Sequence, residues 1–364
     1  MNRIQSIFAI YLLCMTFSLQ YAYAGNPDRQ GEAGAYELLL NPWARSAGLN
    51  GLVVSNAVGV DAMRFNPAGV ARFVGNTQIA GAHTQYLVGS GISLNAVGLA
   101  QSVGKSGAFG LSIMSVNFGD IPLTTTAQPL GFTTFSPSYF NMGVSYSHVF
   151  KDEDGNEKIS VGTTVRVVSE SISNASASAV AFDAGVQYVT GKSRQVKFGL
   201  ALRNIGSKMR FKGDGLAFVS IAPNGTTPLT VNQRSSSADL PSLLHIGASY
   251  DFRFPATETD STQAGTSRLT VSGMFTANSY AQDQLGIGLE YAYRKMFMVR
   301  TGYRHESGMW AEDAFSTTSN GISAGASIEV PFKKGSNRKI AFDYAFLYTK
   351  VFKGNHSLGL RLTI

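Results

Sequence analysis

The 364-residue chain has a single cysteine, Cys14, inside a stretch that reads as a removable leader. The mature chain is therefore expected to hold no disulfide and no cysteine metal site, although an exported protein would be free to form cross-links. Charge is scarce, at 15% of residues. No run after the leader approaches the roughly 18 apolar residues that a membrane helix needs, so a helical span is excluded. The five histidines (His83, His148, His245, His305 and His356) are scattered, never in a ligand spacing such as H-x-x-x-H, and no metal is expected. A nucleophile elbow, a Walker loop and a dinucleotide fingerprint are all missing. Ser, His and Asp residues form no constellation, so neither an enzyme nor a cofactor is expected. Asp152-Glu153-Asp154-Gly155-Asn156-Glu157 looks superficially like a calcium loop. Its glycine is misplaced for one, and Asp-Gly between alternating runs signals a hairpin turn.

What is present begins with export. Arg3, the apolar run from Ile7 to Leu19 and Ala22-Tyr23-Ala24 form a secretory signal, with cleavage expected after Ala24. Leu13 before Cys14 argues against lipidation. Net charge is +7, and the leader contains Arg3 and no acid, leaving 7 − 1 = +6. The basic residues are dispersed through turns and along strands, so nucleic acid is not an expected partner.

The last nine residues, His356 to Ile364, alternate strictly. Leu358, Leu360, Leu362 and Ile364 share one face; Ser357, Gly359, Arg361 and Thr363 share the other. An oily face backed by a polar one fits a strand with lipid outside and a wet lumen inside. The pattern recurs near 76–86, 91–102, 107–118, 139–151, 157–173, 176–191, 195–204, 240–253, 267–278, 283–293, 296–305, 318–332, 337–348 and 354–364. That is about fourteen strands, an even number, as a bacterial barrel requires. Loop lengths sort by parity. Connections at 103–106, 152–156, 192–194, 294–295 and 333–336 are short and fall on the periplasmic side. Those at 119–138, 205–239 and 306–317 are long and fall outside. Pro255 to Ser267 is the exception, a longer periplasmic turn. The expected fold is all-β, a transmembrane antiparallel barrel over 76–364 in the Gram-negative outer membrane, with membrane lipid as its surroundings.

Inward parity falls on Arg166, Lys197, Arg203, Arg300 and Arg361, and on Glu170, Asp183, Asp251, Glu290, Glu329 and Asp343. Mixed signs on many strands should pair across a packed interior, because an isolated buried charge is costly. Tyr250, Phe252, Tyr291, Tyr293, Tyr344 and Tyr348 face outward, where an aromatic girdle belongs. Residues 25–75 differ from the strands and carry their own Gly/Pro punctuation. Asp61 to Phe65 is expected to form a short helix ending before Pro67, and the segment is expected to fold into the lumen as a hatch, with a structural turn at Asn66, Pro67 and Gly69. The long outer connections are unusually apolar: Ile121, Leu123, Phe132 and Phe135 in one, Leu216, Phe218 and Ile221 in the other. They are candidate partner-binding loops, or else lids folded over the mouth.

Three motifs carry a family resemblance. Leu38-Leu39-Leu40-Asn41-Pro42-Trp43-Ala44-Arg45-Ser46-Ala47-Gly48, then Val58-Gly59-Val60-Asp61-Ala62, then Asn66-Pro67-Ala68-Gly69 resemble the PorV/PorQ family pattern "P-x-A-R-x-A-G-M-G … D-A … W-N-P-A". Leu202-Arg203-Asn204-Ile205-Gly206 is similar to that family's mid-barrel "L-R-N-x-G". Leu49-Asn50 departs from the usual Met-Gly, and Arg64-Phe65 from a Tyr-Trp pair. The resemblance implies a FadL-like barrel serving type IX secretion. Its implied partners are a giant translocon barrel, a sortase-like or anchoring protein, and cargo C-terminal domains. Asn-Pro-Ala also occurs in FadL-type transporters, which leaves open a channel taking up hydrophobic molecules. Such a channel needs an apolar interior pocket and a gap in the wall, with Met114, Val116, Phe118 and Leu347 as contributors.

Overall fold

A computed structural model describes residues 25–254, 267–294, 296–310, 317–333 and 336–364. The expected leader over 1–24 and most of the long turn after Phe254 lie outside the described residues. The strands are β1 (Thr77–Tyr86), β2 (Ile92–Val103), β3 (Gly107–Asn117), β4 (Ile121–Leu123), β5 (Thr133–Phe135), β6 (Ser138–Lys151), β7 (Glu157–Ile172), β8 (Ala175–Thr190) and β9 (Val196–Gly206). They continue with β10 (Ala217–Ile221), β11 (Pro228–Asn232), β12 (Leu243–Phe254), β13 (Ser267–Asn278), β14 (Gln284–Tyr293), β15 (Phe297–Glu306), β16 (Ser319–Pro331), β17 (Lys339–Thr349) and β18 (Asn355–Thr363). Fourteen of them close into one antiparallel barrel in chain order, with β1 sealed to β18. The two extra pairs, β4–β5 and β10–β11, are hairpins inside the long outer connections.

Closure removes the exposed strand edges that would otherwise invite aggregation. The seam runs without a break from Gln78 opposite Thr363 to Gln85 opposite His356. β1 pairs equally continuously with β2 on its other side. No helix among the described residues is long and apolar enough to cross a membrane; strands that close on themselves satisfy their backbone groups without one.

Burial is inverted relative to a water-soluble protein. Val97, Leu200, Leu202, Ile287, Phe342, Leu358 and Leu360 are exposed on the outer wall, while Ser145, Thr164, Gln187, Ser249 and Asp183 are buried inside it. Exposed apolar residues in so continuous a band mark a surface matched to acyl chains. Tyr250, Phe252, Tyr291, Tyr293, Tyr344 and Tyr348 all stand outward and exposed. The rings of Tyr250 and Phe252 pack 4.6 Å apart near the short-turn end of the wall.

The lumen is filled by residues 25–75. Helix α1 (Ala44–Ala47), helix α2 (Ala62–Phe65) and a 3-10 turn (Pro67–Arg72) punctuate the segment. Leu38, Trp43, Val60, Met63, Phe65 and Val70 share one buried cluster with Leu94, Met114, Val116, Tyr139 and Val168 of the wall. The wall makes room by omitting side chains. A Cβ on Gly199 or Gly185 would run into the backbone of Val54 or the side chain of Asn66 respectively. α2 stops at Asn66, whose extended backbone suits a residue preceding proline.

Asn50 explains one departure from the family pattern. Its φ is 53°, in the left-handed region, which glycine favours and asparagine tolerates. Its side-chain amide also donates to the carbonyl of Gly321 at 2.6 Å, a tie to the wall that glycine lacks.

Candidate functional site

The hatch is held by side chains of the wall and of the hatch itself that seize its backbone. Arg166 Nη2 donates to the Met63 carbonyl, and Arg64 Nη2 to the carbonyls of Leu38 and Leu40. Asn66 is fully buried. Its Nδ2 lies 2.9 Å from the Val54 carbonyl, 3.0 Å from that of Val186 and 3.3 Å from that of Leu200, and its Oδ1 accepts from Ala68 N at 3.1 Å. The turn at Asn66, Pro67 and Gly69 therefore spans hatch, β8 and β9. Ser147 Oγ donates to the Ala68 carbonyl at 2.8 Å from β6.

The inward charges segregate into local networks. Arg166 Nε donates to Asp183 Oδ2 at 2.8 Å, and both residues are almost wholly buried. Asp183 Oδ1 accepts from Asn204 N at 2.7 Å. The β8–β9 register shifts there, between Phe182 and Ala184, and Asn204 takes φ 58°. The Leu-Arg-Asn-Ile-Gly motif thus marks a bulge that buries Asn204 beside the inward-facing Arg203. Further round, Lys197 meets Asp251 at 2.8 Å and Arg300 meets Glu290 at 2.6 Å. Arg361 stands 3.6 Å from Asp343 and 3.5 Å from Glu329.

Above the hatch, at the end carrying the long connections, a vestibule of about 480 Å³ opens. Its floor is hatch: Leu39, Leu40 and Phe65. Tyr86, Leu94, Leu243, Met274 and Leu347 supply apolar wall, and Arg203, His245, Arg304 and Glu306 supply ionisable groups. Arg203 Nη1 lies 3.2 Å from His245 Nε2, and His245 Nδ1 lies 2.8 Å from Thr276 Oγ1. Of the four contributors expected for an interior pocket, Leu347 lines the vestibule, Met114 and Val116 are buried against the hatch, and Phe118 packs beside them. The residues that build the floor escape a reading of strand parity because they belong to the hatch.

The gap in the wall that an uptake channel needs does not lie around β1, where the ladder is continuous on both sides; the β16–β17 register shifts between Ser319 and Ser323. A groove of about 850 Å³ instead lies on the outer face of the β1–β18 seam. Gly81 lines it, and nothing lies within 4 Å of where a Cβ on that residue would stand.

At the rim, Asp239 clasps the start of the hatch. Its carboxylate lies 3.4 Å from both Arg29 and Lys208, its carbonyl accepts from Gly34 N at 2.9 Å, and Arg29 sits 4.3 Å over the Tyr280 ring. Partial burial would raise the Asp239 pKa, but the Tyr280 hydroxyl, Lys208 and Arg29 outweigh it and hold the carboxyl below its ordinary range. A carboxyl depressed on folding stabilises the clasp above the unfolded carboxylate pKa, and that contribution is lost as pH falls through the folded value. Hydrogen-exchange protection over residues 28–36, taken relative to the intrinsic rate at each pH, should therefore fall on acidification in the wild type. In Asp239→Asn exchange should be faster by about threefold at neutral pH, as suits a partly exposed pair, with a flatter response to acid. Identical exchange in the two proteins would show that the clasp contributes nothing.

The partner-loop candidates lie on the two hairpins. Ile121 and Phe132 are exposed, Leu123 and Phe135 half-buried, Leu216 half-buried, and Phe218 and Ile221 exposed. Leu130, at a hairpin tip, is 97% exposed.

Three solved structures are similar to the chain. They are the toluene transporter TbuX of Ralstonia pickettii (13% identity, 95% of this chain and 100% of that one, TM-score 0.48), a deltaS2 mutant of the monoaromatic hydrocarbon channel TodX (12%, 88% and 96%, 0.48) and a FadL homologue of Pseudomonas aeruginosa (14%, 88% and 96%, 0.48). No family model matches the chain, and no curated protein does.

Proposed function

We propose that this protein is an outer-membrane barrel that takes up a mostly apolar small molecule in the vestibule above the hatch. The observation that carries the reading is the vestibule itself. It is of ligand size, with apolar surface from Leu39, Leu40 and Phe65 and from much of the wall. Neutral polar groups such as Asn41, Asn50 and Thr84 lie between, and the ionisable Arg203, His245, Arg304 and Glu306 stand in its lining. A few polar groups in an apolar cavity orient a ligand that the apolar surface holds. With the wall closed and the hatch seated, passage to the other side requires the hatch to shift. The test is equilibrium binding of tritiated naphthalene to the protein in lipid nanodiscs, against empty discs. Saturable binding, weakened about tenfold by Leu39→Arg through a charge in the apolar floor, is expected. Binding no greater than that of empty discs would end the reading.

A second reading, docking within type IX-like export, is supported by the exposed Leu130, Phe132, Phe218, Val219 and Ile221 on the outer hairpins and by the PorV/PorQ-like motifs. Exposed apolar tips fit contact with a translocon barrel or a cargo domain. Stoichiometric copurification of such partners after mild detergent extraction, lost on replacing Phe218 and Ile221 with serine, would favour it over uptake.

A further inference from the structure

The opposite mouth of the barrel holds a second cavity of about 480 Å³. It lies at the end of the short turns, which in the outer-membrane reading faces the periplasm. Among the described residues its lining carries Arg45, Arg72, Arg253, Arg268, Lys339 and Arg361 against one carboxylate, Glu329. The imbalance survives a wider count. Asp61, Asp251, Glu290 and Asp343 lie deeper, and so do Lys197 and Arg300, which leaves eight cations to five carboxylates. Several of these donors are unspent. Arg268 Nε and both Arg361 Nε and Nη2 are buried without a hydrogen-bond partner. The contacts of Arg361 with Glu329 and Asp343, at 3.5 and 3.6 Å, are too long to satisfy them. Arg253 is exposed at the rim. Here positive charge converges from the hatch, β12, β13, β17 and β18.

We infer that this basic vestibule is a binding site for a phosphoryl oxyanion. Guanidinium groups present paired N–H donors that match phosphate oxygens. Several of them around one cavity oppose a multiply charged group better than a lone carboxylate. The volume exceeds that of a bare phosphate, and Val58, Phe73, Val74 and Met298 provide apolar surface beside the cations. The phosphate is therefore carried either by a lipid headgroup or by a free phosphorylated solute. The site is independent of the outer vestibule, since it shares no lining residue with it.

The experiment is calorimetric titration of the full chain in an uncharged detergent, with inorganic phosphate in one arm. The other arms use dihexanoyl phosphatidylglycerol and dihexanoylglycerol, which lacks the phosphate. Saturable binding that weakens as sodium chloride rises is expected. It should fall by about tenfold or more in Arg253→Gln/Lys339→Gln, the loss that accompanies one or two charged hydrogen bonds. Both side chains sit at the rim, and the heat-dependent gel shift of the folded barrel checks that the variant is intact. Binding of phosphate itself assigns a free solute, and binding of phosphatidylglycerol alone assigns a headgroup. The inference is overturned if neither binds, if the two lipids bind alike, or if the folded double variant binds as well as the wild type.

Discussion

Asp183→Leu is expected to destabilise the barrel by about 3–5 kcal/mol, the cost of stripping the partner from a buried charge. Asp183 is 1% and Arg166 3% exposed, so water cannot replace the lost carboxylate. The substitution also removes the acceptor of Asn204 N, which is what secures the β8–β9 bulge, and leaves Arg166 and Arg203 facing one another without a counter-charge. Urea titration of the protein folded in lipid vesicles, read by tryptophan fluorescence and by gel shift, measures the effect. Arg166→Leu/Asp183→Leu should cost less than the sum of the two single changes, because neither charge is then stranded. It should not recover wild-type stability, since Arg166 also holds the Met63 carbonyl. A single variant that unfolds at the wild-type urea concentration would refute the importance given to this pair.

Gly199→Val is expected to unseat the hatch. The new side chain would occupy the space of the Val54 backbone, and Gly199 is fixed on both sides by Gln187 and Gly247 in the ladder. Overpacking of this kind costs about 1–3 kcal/mol. Here the hatch, which is not part of the ladder, is the side that gives way. Two readouts follow: faster labelling of a cysteine placed at Val54, and conductance across a planar bilayer where the wild type, with its lumen packed, is silent. Gly273→Val is the control, since nothing lies within 4 Å of the added atom. If both variants stay silent and label slowly, the hatch is not seated by the room that inner-wall glycine provides.

The barrel was legible because its physics is periodic. Lipid outside and polar groups inside impose a repeat of two on every strand, and closure imposes a parity on the connections. The expected 267–278 strand is β13 to the residue, and the others shift by up to about three residues. The short helix before Pro67 is present as α2. What parity cannot register is anything built from irregular chain. β4 contains Pro122 and spans three residues, too short to alternate visibly. The vestibule joins Leu39 to Leu347, a juxtaposition that no spacing announces. Inner-wall glycines such as Gly199 look, in one dimension, like any weak point in a strand. Nor does the fold choose between uptake and export, since one architecture hosts many tasks.

The arginine clasp on the leading segment carries one last consequence. Its acceptors from the wall, Met63 for Arg166 and Leu38 for Arg203, are main-chain oxygens, which every amino acid supplies. A change of side chain at those two sites leaves the accepting atoms in place. Drift there can reshape what the inner segment shows to a visitor while leaving its moorings in place, so a family built this way can retune its contents without learning to hold them anew.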